Sequence, residues 1–181
     1  IVENACRLNG GSVAGSTRAG SEGLGPALAA AAAAVVLCQA VTLLAGLTPA
    51  LHGSMLDEDG YLYLVRVAAL HDGHGWWNTT IERVNVPYGM VPHWTRPFDL
   101  VLLAGGWLGG LVFGFPRALV GWSLFVSPAL QMLAALALVW AAAPLLRGAA
   151  RLLLGLVFVM RVTCGYYALA GATDHPGMLI L

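Results

Sequence analysis

A chain of 181 residues with 59% apolar and only 10% charged residues falls well below the roughly 25% charge of soluble domains and reads as an integral membrane protein. Nine arginines offset nine acidic residues and lysine is absent, which leaves no basic patch and excludes a nucleic-acid partner. Cys6, Cys38 and Cys164 lack the spacing of a metal site or a disulfide framework and read as small buried apolar residues.

Residues 1–26 are rich in Gly and Ser and are expected to form a flexible tail, because they cannot bury enough surface to offset the entropy of ordering. Residues 27–51 carry no charge and only Gln39, Thr42 and Thr48 as polar interruptions, enough to cross a bilayer core of about 30 Å as a first transmembrane helix. The loop that follows, 52–98, is where the polar chemistry gathers. Between residues 55 and 100 lie four of the five Asp, three of the five His and three of the six Trp.

Within this loop, apolar positions at 61, 64, 65 and 68 have the spacing of one helix face and predict an amphipathic helix over 60–72. Too short to span, it should lie at the interface or against the bundle, with Arg66 turned toward water or an acidic partner. Asp57, Glu58 and Asp59 would stand at its N-terminal end, where negative charge is favoured. Turn signals follow at 72–75, 87–89 and 92, and Trp76, Trp77, Tyr88 and Trp94 suit an interfacial belt.

The uncharged stretch 100–116 covers only about 25 Å as a helix, so it either crosses marginally or forms a short re-entrant helix. Its glycines permit close helix contact. Residues 118–146 predict a full span with a kink at Pro128, and 152–173 another, interrupted by Arg161, before Asp174 and His175. If 100–116 crosses, Asp174 falls opposite Asp57 and Asp59; if it is re-entrant, all three share one face. The tight basic connection at Arg147 and Arg151 favours the second arrangement. The fold class expected is all-α, a polytopic transmembrane bundle with a large external loop after the first helix. The apolar residues 178–181 read as the opening of a further segment.

Asp57-x-Asp59 suits a hard divalent cation, Mg²⁺ or Mn²⁺, although it is also what a solvated helix start looks like. Asp174 is a second acidic position; a cation held between the two would neutralise a phosphate leaving group, with His175 as a further ligand or a plain helix cap. Arg161, deep in an apolar run, either faces a partner or snorkels. His93, Trp94, Arg96 and Asp99 put an aromatic plate, a cation and a carboxylate at a membrane boundary, as ligand contacts or as a pair that fixes the loop. His71 and His74 read as ordinary loop residues, since Gly73 and Gly75 break the helix that would align them.

The order of a first membrane helix, then DEDGYLYLVRVAAL, then NVPYGMVPHWTRPFDLVLLA, two long helices and GATDHPG resembles the N-terminal part of the GT-C superfamily of polyprenyl-phosphate-dependent glycosyltransferases, closest to oligosaccharyltransferase catalytic subunits and their bacterial relatives. The resemblance spans roughly residues 28–181. It implies a catalytic Asp at Asp59, with Asp57 beside it, a cation held by Asp59, Asp174 and His175, and donor or structural contacts from Arg66, His93, Trp94, Arg96 and Arg161. Pro176 departs from the pattern, standing where the motif's third, cation-binding residue would be. The implied partners are the lipid bilayer and a polyprenyl-linked sugar donor, in a bacterial inner membrane with loop 52–98 on the periplasmic side. The resemblance also implies that further membrane helices and a periplasmic domain complete the enzyme and that this portion alone is inactive. The alternative is a non-enzymatic membrane protein, a transporter fragment or an assembly subunit, in which the same charges serve packing or gating.

Overall fold

The computed structural model describes residues 23–92, 96–161 and 168–173. Among them the fold is all-α. Five helices are present: α1 (Leu24–Leu44), α2 (Glu58–His71), α3 (Pro97–Phe113), α4 (Phe115–Ala141) and α5 (Ala149–Met160), with a 3-10 turn at Pro49–His52 between α1 and α2. The sole β pairing among the described residues is an isolated bridge between Ile81 and Met90 in the loop after α2.

Two of these helices, α1 and α4, are long and apolar enough to cross a membrane. Only 28% of the most apolar window of α1 and 44% of that of α4 is buried. The core helix of a soluble protein would be mostly enclosed, so these outward apolar faces indicate possible membrane association. Helices α3 and α5 are apolar but shorter.

The bundle is organised along α4, which at 1.5 Å per residue is about 40 Å long. Its C-terminal half packs between α1 and α5. Gln39 of α1 meets Gln131, and Gly155 of α5 sits where a Cβ would touch both Ala31 and Val139. Pairing therefore falls along α4 as it rises along α1, and both α1 and α5 run antiparallel to α4. The buried residues of this half are Ala27, Ala31, Ala34, Val35, Ala135, Val139 and Val159.

The N-terminal half of α4 packs instead between α2 and α3, around Tyr63, Val67, Phe98, Leu102, Leu119, Val126 and Leu130. Helices α3 and α4 form a tight hairpin through Gly114, whose φ of 78° suits glycine. Along the hairpin, Trp122 Nε1 donates to Val101 O at 3.0 Å. A Cβ on Gly105 would lie 2.2 Å from the Trp122 ring, and one on Gly109 3.0 Å from Ala118 Cβ. The glycines thus let the two backbones approach, as small residues do where helices pack within lipid.

A third cluster, Ala50, Met55, Leu124 and Ala170, joins the two halves beside Pro128, the proline inside α4. Proline lacks an N–H, so the carbonyl four residues earlier loses its helical partner. That carbonyl, Leu124 O, accepts the Gly171 N–H at 2.7 Å. Residues 168–173 therefore lie against the middle of α4, and the same glycine accepts the Leu56 N–H at 2.8 Å.

Several boundaries differ from the sequence reading. The first apolar helix ends at Leu44 rather than 51, because Gly46 takes a φ of 68° and Pro49 opens a separate turn. Asp57 caps α2, which starts at Glu58 and ends at His71. Its buried residues are Gly60, Tyr63, Arg66 and Val67, while Tyr61 is exposed; the inward face is rotated from the 61/64/65/68 stripe because it must meet α3 and α4. The run expected at 118–146 begins earlier, at Phe115, and gives way to turns after Ala141. Within the run expected as a span over 152–173, the described helix ends at Met160 and residues 168–173 are not helical, while 162–167 lie outside the described residues. Residues 1–22 and 174–181 lie outside the described residues.

The glycine contacts generate an ordered expectation. Gly105→Ala should lower the thermal midpoint of the detergent-solubilised chain, since the Trp122 ring has to move. Gly121→Ala, where a Cβ meets nothing within 4 Å, should leave it unchanged or raise it through helix propensity worth up to about 1 kcal/mol.

Candidate functional site

The site builds from the N-terminus of α2. Asp57 is extended, with φ −136° and ψ 169°, and its Oδ1 accepts the Gly60 N–H at 2.9 Å. This is the geometry that makes Asp a preferred helix cap. Gly60 is closely packed, since a Cβ there would lie 3.2 Å from the Met55 side chain and 3.4 Å from Asp57 Oδ1. Glu58 and Asp59 occupy the first turn, where the unpaired N–H groups favour negative charge. Asp59 is half-buried and Glu58 exposed. Asp57 Oδ1 is thus engaged in holding the helix, whereas Asp59 is the second residue of the helix, within its first turn.

About two turns further along α2 is a buried ionic group. Arg66 Nη2 donates to Asp99 Oδ1 at 2.5 Å and Nε to the same oxygen at 3.2 Å. Arg96 Nη1 donates to Asp99 Oδ2 at 3.1 Å. Asp99 is fully buried and Arg66 is 3% exposed. Aromatic rings complete the surroundings: the Arg66 guanidinium lies 5.0 Å from the Tyr63 ring centre and that of Arg96 lies 5.4 Å from Trp76. Arg96 Nη2 also donates to Asn78 O at 2.6 Å, tying the loop after α2 to the start of α3. Two arginines share one carboxylate at the wall of a cavity of about 570 Å³. The cavity is also lined by Asn78, Arg83, Phe115 and Leu119.

The far end of α2 closes on the hairpin. His71 stacks on Phe115 with ring centres 3.7 Å apart, and His74 Nδ1 donates to Ala69 O at 2.9 Å. His71 is the last residue of α2 rather than a loop residue, and the two histidines serve the helix end. Among the described residues no three His, Cys, Asp or Glu side chains converge to hold a metal ion. A cation at Asp59 would depend on Asp174 and His175, which lie outside the described residues, as do His93 and Trp94.

The last described residue before Asp174 is placed firmly. Thr173 Oγ1 donates to Ser123 O at 2.6 Å and approaches Met55 Sδ at 3.4 Å. The chain therefore arrives at position 173 beside the segment that leads into Asp57. The same region holds polar residues that the sequence reading did not single out for a role: Gln39, Gln131, Ser127 and Thr173, all buried. Gln39 stood out in the sequence only as a polar interruption of an apolar run and Gln131 did not stand out at all, although polar groups at such positions carry a cost that calls for a partner. Arg161, in contrast, is exposed and directly follows the end of α5. It does not sit within a helix facing a partner, because the helix that would have buried it has already ended.

No protein-family model, curated protein or solved structure matches the chain.

The ionic group gives a sharp ordering of variants. Asp99→Asn would leave the two guanidinium groups close together without the carboxylate they share, and breaking a buried pair in this way costs about 3–5 kcal/mol. Arg66→Gln leaves a balanced Arg96–Asp99 pair and should cost less. Equilibrium unfolding in mixed micelles should rank Asp99→Asn as the more destabilised.

Proposed function

We propose that this chain is part of a polytopic membrane glycosyltransferase of the GT-C type. It would transfer a sugar or glycan from a polyprenyl-linked phosphate donor to an acceptor at the periplasmic face of a bacterial inner membrane. The observation that carries the reading is the hydrogen bond from Leu56 N–H to Gly171 O. It joins the leader of the first acidic motif to the segment that leads into the second, although the two are more than a hundred residues apart in sequence.

Running α1 and α5 antiparallel to α4 supports the same arrangement. The C-terminal end of α1, the start of α2 and residues 168–173 then meet at one level beside the middle of α4, while Arg147 and Arg151 lie past its C-terminal end. Arg151 is buried there and donates to Ala143 O and Leu146 O, each at 2.6 Å, closing the end of α4 with a charge that suits a helix C-terminus. In this reading α3 leaves and returns on the loop side, and the crossing is made by α4.

The chemistry assigns roles by what each group is free to do. Asp59 accepts the proton of the acceptor nucleophile as that nucleophile attacks the anomeric carbon, and the carbon–oxygen bond to the donor phosphate breaks with its electron pair going to phosphate. Asp57 holds the helix that presents Asp59. Mg²⁺ or Mn²⁺, bound through the carboxylate oxygens of Asp59 and Asp174 with His175, would supply charge neutralisation at the departing phosphate. The Arg66 and Arg96 guanidinium groups at the cavity wall would be contacts for the donor phosphate, and His93, Trp94 and Arg161 further contacts for the donor or for the loop that covers it.

A second reading is favoured by one observation: Asp99, Arg66 and Arg96 bond to one another, as they would in a non-enzymatic transporter or assembly subunit that uses charges only for packing. Activity separates the two. The chain, expressed with whatever sequence its reading frame adds beyond residue 181, should transfer radiolabelled sugar from a polyprenyl phosphate donor in membrane vesicles. Asp59→Asn should lower that rate by at least about 10²-fold, the lower bound for a positioned base, with an unchanged melting temperature. A rate unaffected by Asp59→Asn would remove the enzymatic reading.

A further inference from the structure

We propose that the cavity between α2, the loop after it and the start of α4 binds an amphiphile with a phosphate head, and that Arg83 is the side chain that takes the phosphate. Such a ligand has two sources: an acidic phospholipid of the surrounding bilayer, or the lipid-linked donor. The inference rests on the proposed function only for the second of these.

The cavity has two unlike walls. The polar wall is built on the buried ionic group. Arg66 and Arg96 line it, but both direct N–H groups to Asp99, and Arg96 directs a further one to Asn78 O. They form the back of the site and hold its shape. Arg83 lines the same cavity, is exposed, and makes no hydrogen bond or ion pair among the described residues. A guanidinium presents five N–H donors in a fork that matches phosphate oxygens, and in Arg83 that fork is uncommitted. Two carboxylates also line the cavity. Asp72 Oδ1 lies 3.3 Å from His71 Nδ1, and Glu82, next to Arg83 in sequence, forms no ion pair with it.

Arg83 is carried on an anchored turn. Ile81, which is buried, exchanges backbone hydrogen bonds with Met90 at 2.8 and 3.1 Å, and Val84 N–H donates to Ile81 O at 3.4 Å. The Arg96 bond to Asn78 O ties the start of the same loop to α3. The opposite wall is apolar, with Leu64 and Ala68 from α2 and Phe115, Leu119 and Val120 from α4. Phe115 begins the helix that follows the hairpin tip, where Leu111, Val112 and Phe113 are exposed, so a chain leaving the cavity past Phe115 meets further apolar side chains. A volume of about 570 Å³ lies within the roughly 300–1,000 Å³ of small-ligand pockets and suits a head group with the first part of a chain. A water-soluble phosphate would leave the α4 wall with nothing to bury, and an uncharged lipid would leave Arg83 without an acceptor. The ligand class therefore combines the two.

The test measures equilibrium binding of dioctanoyl phosphatidylglycerol, farnesyl phosphate and inorganic phosphate. The protein is the chain with whatever sequence its reading frame adds beyond residue 181, purified in an uncharged maltoside detergent. Both amphiphiles should bind saturably, and inorganic phosphate at least about 10-fold more weakly, since a few buried methylenes account for that factor. Arg83→Gln should weaken both amphiphiles about 10-fold or more, the scale of a lost hydrogen bond to a charged group. Arg117→Gln, at an exposed arginine outside the cavity, should leave them unchanged. Val120→Asn, at an exposed position of the apolar wall, should weaken the amphiphiles and not inorganic phosphate. Tighter binding of farnesyl phosphate supports the site as the donor's, and tighter binding of phosphatidylglycerol supports it as a site for the bilayer's own lipid. Equal losses from Arg83→Gln and Arg117→Gln, binding that never saturates, or inorganic phosphate bound as tightly as the amphiphiles would overturn the site. Asp59→Asn should leave all three affinities as they are, so a chain that binds amphiphiles but transfers no sugar upholds this site and overturns the enzymatic reading alone.

Discussion

The architecture depends on one carbonyl group. Pro128 removes the helical partner of Leu124 O in the middle of the longest helix, and in an apolar bundle an unpartnered carbonyl is costly. The partner it finds is the Gly171 amide, from a segment that has left regular helical structure and has its own groups to satisfy. Each irregularity answers the other. Because Gly171 also accepts from Leu56, the repair of α4 fixes the leader of α2, and through it the capped helix that presents Asp59.

The two halves of the bundle have different physical characters. Around the second half of α4, small residues dominate: Ala27, Ala31, Ala34 and Ala135 with Gly155 let α1, α4 and α5 approach closely. Around the first half, larger side chains and a buried ionic group do the work, with the edge of Tyr63 against Phe98 at 5.0 Å and Arg66 and Arg96 closing on Asp99. A buried charge group of this kind contributes little net stability but penalises any arrangement that separates its members. It therefore fixes how α2 docks on α3, which apolar contacts alone would leave free to slide.

Much of this was legible in the sequence and some was not. Uncharged runs announced α1, α3 and α4; the glycines of 105–110 announced close helix contact; Asp57 to Asp59 announced a helix start. The register of α2 was not legible, because YLYLVRVAAL is apolar nearly all round and its inward face is chosen by Phe98 and Leu119, distant in sequence. The pairing of Arg66 with Asp99 was open to reading only as an acidic partner of unstated identity. The ends of α1 and α5 were overrun because hydropathy persists past the point where Gly46 and Pro49, or Arg161, end the helix. The bonds of Gln39, Ser127 and Gly171 were invisible, since each depends on where residues 168–173 lie against α1 and α4.

The central claim, that residues 168–173 return the chain to the level of the bundle where α1 ends and α2 begins, is tested most directly by sided labelling. Single cysteines at positions 59, 147 and 174, in a chain otherwise free of cysteine, would be exposed to a membrane-impermeant maleimide from the outside of oriented vesicles and then after permeabilisation. Positions 59 and 174 are expected to react from the same side and 147 only from the other. Reaction of 174 together with 147, and apart from 59, would contradict the account.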